Sequence, residues 1–421
     1  MPPEQIEREI VIDKIKNVFR RWGFDPIETP TFEFYSTLAG KYGEEEKLIY
    51  RFQDYGERDL GLRYDLTVPL ARFFSDYQNE IVKPFKRYQI QTVFRAEKPQ
   101  KGRYREFYQC DIDIVGSKSL LADATIILTI DSALKEVGLV NAKFKVNDRR
   151  ILKSLAKSWG IENREIEIAR TIDKLEKIGT SGVREQLVKM NFDEGIVNAV
   201  IDIISNKPNL VQLGEILKDD VFKSARDELL IILEYLEKFG VNVEFDVSLA
   251  RGLDYYTGMI FEVKPMGVEI GSIAGGGRYD NLIEAPKGCK IPAVGGSIGI
   301  DRLLIALKEF TPTNRRKTWA NIIIALADYD KETTIYGLEI ARKLQELGYN
   351  VDVYSGDKNL KEQLKYANNK GVEIAVVIGK SELESRKLTV KFLEQRYQIE
   401  IVESEIEAIF KPKEKRDVGN F

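Results

Sequence analysis

The sequence predicts an α+β protein whose sheet-forming region is split by a purely helical stretch and followed by a separate α/β unit. Strand-like runs punctuated by Gly and Pro occupy residues 25–115 and return from Asn242 to Ile298. Between them, Asn147–Gly240 is rich in helix formers with amphipathic spacing, the pattern of an inserted domain. Beyond the polar, turn-rich Pro312-Thr313-Asn314-Arg315-Arg316-Lys317, apolar runs alternate with helical patterns. The expected organisation is therefore 1–146 and 241–312 as two parts of one domain, 147–240 as the insertion, 313–318 as linker, 319–410 as the C-terminal domain and 411–421 as a charged tail.

Each element has a local reason. Ile6, Ile10, Ile15, Val18, Phe19 and Trp22 form a helical stripe over Glu4–Trp22 that stops at Gly23. Strands are expected at Asp25–Phe34, Leu48–Gln53, Leu60–Tyr64 and Tyr88–Phe94, with helices at Thr67–Phe74 and Leu120–Glu136. The insertion offers amphipathic pieces at Arg149–Trp159, Ile172–Ile178, Ser181–Met190, Val197–Ile204 and Ser224–Phe239. In the C-terminal unit, strands at Ile322–Ala325, Val351–Tyr354, Ile374–Ile378, Leu388–Phe392 and Ile399–Val402 alternate with helices at Thr333–Leu347 and Asn359–Lys370. That alternation implies a mostly parallel sheet covered on both faces.

Composition removes several function classes. Formal charge is −3, so any RNA contact needs local Lys and Arg clusters rather than a basic chain. The two cysteines, Cys110 and Cys289, match no metal or disulfide spacing and suit a reducing compartment. No apolar run approaches a membrane span, and Met1-Pro2-Pro3-Glu4 begins no signal peptide, so a soluble cytoplasmic protein is expected. Histidine is absent altogether, which excludes Ser-His-Asp triads, imidazole bases and imidazole metal ligands.

The richest segment is Phe94–Asp113. Pro99 and Gly102 mark a turn between the extended runs Tyr88–Phe94 and Glu106–Val115, with Arg95 on one side and Arg103 and Arg105 on the other. Guanidinium groups there suit bidentate contact with phosphate, and Phe107 could cover a flat base. Two further segments reinforce it. Arg251-Gly252-Leu253-Asp254-Tyr255-Tyr256 precedes an apolar strand, and Ala274-Gly275-Gly276-Gly277-Arg278-Tyr279-Asp280 leads on to Gly296–Leu304.

Together these segments resemble the class II histidyl-tRNA synthetases. Phe94–Asp113 is similar to motif 2, Gly296–Leu304 to motif 3, and the Arg-Gly-Leu-Asp-Tyr-Tyr and Ala-Gly-Gly-Gly-Arg-Tyr-Asp runs to the two histidine signatures. Phe24–Phe34, with Pro30, is a looser motif 1. The resemblance implies a catalytic domain built on the class II antiparallel sheet with flanking helices, a helical insertion and an α/β anticodon-binding domain. It implies ATP with Mg2+, L-histidine and tRNA(His) as ligands and a homodimer, and it assigns no metal ligand from the protein itself. The family's Gly-Thr-Arg-Asp-like strand would lie before the first helix, so packing near the dimer interface is expected to differ.

The resemblance also assigns roles residue by residue. Arg95, Arg251 and Arg302 become the catalytic arginines: Arg95 at the α-phosphate, Arg251 between that phosphate and the histidine carboxylate, Arg302 at the γ-phosphate. Glu97, Arg103 and Phe107 complete the ATP site. Asp65, Thr67 and Gln109 match the α-amino site, Asp113 and Tyr256 the imidazole partners, and Tyr255 and Tyr279 the pocket walls. Asp stands at 65 and 113 where many bacterial members have Glu, one methylene shorter. Lys358, Lys361, Lys365, Lys370 and Lys380 are candidates for phosphate contacts with tRNA. The alternative is a catalytically altered paralogue acting as a histidine-sensing regulatory subunit. Retention of the C-terminal unit and of Arg95, Arg251 and Arg302 favours the ligase.

Overall fold

The computed structural model describes residues 1–250, 255–285, 288–310 and 316–411. It divides into two compact units, one of Lys14–Pro312 and one of Thr313–Phe421 with Met1–Asp13. The chain opens with α1 (Pro2–Arg21), which stops where Gly23 adopts φ +75°. The single strand expected at Asp25–Phe34 is instead two short ones, β1 (Asp25–Pro26) and β2 (Phe32–Phe34). Pro26 and Pro30 cannot donate to a ladder, which accounts for the break. After α2 (Tyr35–Leu38), a 3-10 turn fills Gly43–Leu48, so β3 begins only at Arg51 (Arg51–Gln53). β2 and β3 flank β4 (Asp59–Leu62) in a small antiparallel sheet.

Next come α3 (Thr67–Tyr77) and the long hairpin β5 (Phe85–Phe94) and β6 (Glu106–Val115), paired along all ten residues of each strand. α4 (Leu120–Glu136) is capped by Ser119, whose side chain accepts the Leu121 N–H at 3.3 Å. β7 (Ala142–Asp148) then runs into six helices: α5 (Arg149–Ser158), α6 (Glu165–Ile172), α7 (Leu175–Lys189), α8 (Glu194–Asn206), α9 (Leu210–Ile216) and α10 (Asp220–Lys238). The two pieces expected at Ile172–Ile178 and Ser181–Met190 meet within the span of α7 at Gly179, whose φ +67° and ψ 175° break the helix between them. The short α6 and α9 carry too few turns for their periodicity to stand out in sequence.

β8 (Val243–Phe245) returns beside β7 in parallel, so the helical stretch leaves and re-enters the sheet at neighbouring strands. β9 (Met259–Pro265), β10 (Ala274–Arg278), the small hairpin β11 (Ile283–Ala285) and β12 (Cys289–Ile291), β13 (Ala293–Gly299) and α11 (Ile300–Phe310) complete this unit. The main sheet has the order β1-β5-β6-β13-β10-β9-β7-β8, antiparallel except at its two edge pairs. Gly296 permits its close packing: a Cβ there would stand 2.7 Å from Ile130 of α4 and 2.7 Å from Phe261.

The second unit holds β14 (Ile322–Leu326), α12 (Lys331–Glu346), β15 (Val351–Val353), α13 (Leu360–Lys370), β16 (Ile374–Ile378), α14 (Lys380–Ser385), β17 (Lys387–Phe392), β18 (Tyr397–Val402) and α15 (Ile406–Ile409). Its sheet order is β15-β14-β16-β17-β18. Ile322, Ile324 and Leu326 pack with Ile340 and Leu344 of α12, while Ile323 packs with Ala367 of α13, so both faces are covered. The sheet is only half parallel, however: β16–β17 and β17–β18 are antiparallel. The short connections after β16 and β17 are too brief for the crossover that parallel pairing requires.

Candidate active site

The β5–β6 hairpin, β9, β10 and β13 line a cleft of about 240 Å³ on one face of the main sheet. Side chains alternate across a strand, so Phe107, Gln109, Asp111 and Asp113 of β6 share that face. Cross-strand register fixes their neighbours: Asp113 opposes Arg87 and Gly295, and Asp111 opposes Gln89 and Ser297. Gly295 is required here, because a Cβ would fall 1.8 Å from the Asp113 Oδ1.

At one end of the cleft stand Arg95, Glu97, Arg103, Phe107 and Arg302. Arg95 lies over the Tyr64 ring at 4.3 Å and the Phe107 ring at 5.2 Å, and its Nε donates to the Tyr64 carbonyl at 3.2 Å. Arg302 donates from Nε to the Gly102 carbonyl and from Nη1 to the Ser272 carbonyl, both at 2.9 Å, tying the hairpin loop to the segment before β10. Arg103 is more loosely placed, its Nη1 lying 3.5 Å from Glu97 Oε2. This end presents fixed guanidinium groups to an anion.

The other end is acidic and buried. Asp65 accepts the Tyr42 hydroxyl at 3.0 Å, the Val68 N–H at 3.0 Å and the Tyr255 hydroxyl at 3.3 Å. Asp113 accepts the Tyr279 hydroxyl and pairs with the fully buried Arg87 at 2.7 Å. Burial raises the pKa of Asp65, Asp111 and Asp113 above the ordinary carboxylate value, and Asp111 is pushed up to about 7 despite the opposing pull of Arg87. Thr67, Gln109, Tyr255, Tyr256 and Tyr279 close this end. Gln109 Nε2 donates to Ser297 Oγ at 2.9 Å.

A protein family model described as histidyl-tRNA synthetase matches residues 1–303, and one described as anticodon binding domain matches residues 321–413. The chain belongs to the histidyl-tRNA synthetase family. It is 37% identical to the histidine–tRNA ligase of Cytophaga hutchinsonii, with 96% of each chain covered. It is 38% identical to that of Korarchaeum cryptofilum, covering 96% of this chain and 94% of the relative. The crystal structure of histidyl-tRNA synthetase from a Nostoc species matches with a TM-score of 0.83 and 30% identity, over 98% of this chain and 96% of that one.

Within this synthetase-family fold, the cleft gathers Asp65, Thr67, Arg95, Glu97, Arg103, Phe107, Gln109, Asp113, Tyr255, Tyr256, Tyr279 and Arg302, all expected from sequence. Arg251 lies outside the described residues. Sequence reasoning passed over Asp111, Glu262 and Ser297, which also line the cleft, and Arg87, which underlies it. A signal for them existed. Arg87, Gln89 and Gln91 alternate on β5 opposite Asp113, Asp111 and Gln109, a polar stripe of period 2 inside an otherwise apolar hairpin. Tyr104 is exposed at the cleft.

Proposed function

We infer that the chain is a histidine–tRNA ligase: it activates histidine with ATP to histidyl-adenylate and pyrophosphate, then transfers the histidyl group to the 3′ end of tRNA(His). The observation that carries this reading is one cleft with opposed ends, arginines at one and buried acids at the other, joined by a single hairpin. The amino acid lies with its ammonium at Asp65, Thr67 and Gln109 and its ring toward Asp113 and Tyr256. Tyr255 and Tyr279 wall the pocket. ATP lies along Arg95, Arg103 and Arg302, with Phe107 against adenine.

The histidine carboxylate attacks the α-phosphorus in line, forming the mixed anhydride as the bond to pyrophosphate breaks. Charge grows on the phosphate oxygens, and Arg95, half-buried and stacked, meets it in place. Arg251 holds the attacking carboxylate against that phosphate, and Arg302 holds the departing end. The chain itself supplies no histidine base, and none is needed because the nucleophile arrives ionised. Among the described residues no group of three acids or thiols is placed to hold a metal ion, whereas Glu97 lines the arginine end. That suits Mg2+ carried in on ATP phosphates, with Glu97 to hold it and the ion to neutralise pyrophosphate charge.

The chain acts as a cytoplasmic homodimer, and no described helix is long and apolar enough to cross a membrane. Its catalytic domain comprises 1–146 and 241–312, its insertion 147–240 and its anticodon-binding domain 319–410. Exposed Lys358, Lys361, Lys365 and Lys380 contact tRNA phosphates. Lys370 is better explained as structural, since it pairs with Asp352 at 2.6 Å and donates to Tyr366 at 2.9 Å. Histidine-dependent exchange between ATP and pyrophosphate tests the first half-reaction. Its absence in folded protein would overturn the ligase reading and favour a histidine sensor. Arg251→Ala is expected to abolish most exchange while histidine still binds.

A further inference from the structure

The acidic end of the cleft brings Asp65, Asp111 and Asp113 together out of solvent. Asp65, Asp111 and Asp113 are all at least 95% buried, and among the described residues Arg87 is the buried cation paired with one of them. Arg87 is committed to Asp113, whose other oxygen takes the Tyr279 hydroxyl. Asp65, at the start of α3, is the partner for the substrate ammonium under the assignment above. Asp111 is left over. Its Oδ1 is buried without any hydrogen-bond partner, although the residue lines the cleft. A buried carboxylate oxygen in that condition is costly unless a ligand completes it.

We propose that Asp111 is the specificity-determining counter-ion for the substrate ring, and that histidine is held as the imidazolium with one ring N–H donated to Asp111 Oδ1. Asp113 is then a positioning residue, held by Arg87 and Tyr279 behind the ring. The proposal rests on the ligase reading, but it moves the ring contact from Asp113 to Asp111 and adds a protonation state. Each of these three aspartates then has a cation: the ammonium for Asp65, Arg87 for Asp113 and the imidazolium for Asp111. The groups facing Asp111 are Arg87 and Gln89 from β5, Asp113 on its own strand, Ser297 from β13, Asp65 and Tyr256. Arg87 and the Ser297 hydroxyl favour its ionised form, whereas burial, Asp113 and Asp65 oppose it. With its pKa near 7 in the ligand-free cleft, Asp111 is poised to ionise when a cation enters.

The sign of the pH effect follows. Above about pH 7, free Asp111 is ionised and free imidazole is neutral, so forming the pair takes up a proton. Histidine affinity is expected to fall by up to about tenfold per pH unit between about pH 7 and 8. The deciding experiment is nitrogen-15 NMR of ring-labelled histidine bound to the full-length wild-type chain at pH 7.5, alongside calorimetric titration with histidine. The expected spectrum has both ring nitrogens protonated and resonating close together. Asp111→Asn is expected to lose about 10- to 100-fold in histidine affinity, as for a hydrogen bond to a charged group, and to lose the high-pH decline. Its KM for ATP should stay unchanged. A neutral-ring spectrum in wild-type protein that still catalyses exchange overturns this proposal and leaves the ligase reading standing. Folded wild-type protein that neither binds histidine nor catalyses exchange overturns both. If Asp111→Asn does not fold, the wild-type spectrum decides alone.

Discussion

The two ends of the cleft are built on opposite physical plans. At the acidic end Arg87, Asp111, Asp113 and Tyr279 are almost fully buried, and the strand register holds them in place. At the arginine end Arg103 keeps 46% of its side chain exposed, and Arg105 reaches back only to the Glu97 carbonyl at 3.3 Å. The difference suits the ligands of the proposed reaction. A small amino acid must be told from near relatives, which demands buried polar groups that penalise a poor fit. ATP carries its own strong charge, so it needs cations that meet it and let pyrophosphate leave.

Mutations at the two ends should therefore fail in different ways. The largest effect is expected for Arg87→Met, which strands Asp113 as a buried charge. It should lower unfolding free energy by about 3–5 kcal/mol, read from the urea midpoint. A variant as stable as wild type would mean that the acidic end is not preassembled. Arg95→Ala should cut kcat for exchange by about 10²–10³. Its stability should change by no more than about 1 kcal/mol, the scale of the lost stacking. A loss of stability equal to that of Arg87→Met would erase the contrast.

Asp111→Asn sharpens the contrast from the other side. The folded-state pKa of Asp111, about 7, lies above its ordinary value of 3.8, so ionisation costs stability as pH rises between those values. In the ligand-free protein the amide should therefore raise stability above pH 7, by on the order of 2 kcal/mol, with the gain fading toward pH 4. Urea titrations across pH would show it, and a gain that grew as pH fell would contradict the assignment. The smallest effect is expected for Arg103→Ala. Because the Arg103–Glu97 pair is exposed, stability should move by roughly 0–1 kcal/mol, and only the KM for ATP should rise. Thermal melting and exchange kinetics check both.

Much of this was legible in the chain. Leu120–Glu136 and Ile374–Ile378 follow from periodicity alone, because a helix and a buried strand each imprint their own repeat on local sequence. Strand breaks at Pro26 and Pro30 and the antiparallel end of the second sheet were less legible. They depend on which neighbour a short segment finds, and segment length decides that as much as composition.

The sequence by itself determined the family, the order of the motifs and the residue types gathered in the cleft. Only the tertiary structure decided how those charges are shared. Asp113 and Asp111 are the same residue type two positions apart on one strand, and nothing local distinguishes them. Their difference comes from β5 and β13, which place Arg87 and Gly295 beside one and Gln89 and Ser297 beside the other. Burial then magnifies that difference, since in a poorly solvated cleft each carboxylate must find its cation from the fold or from the substrate.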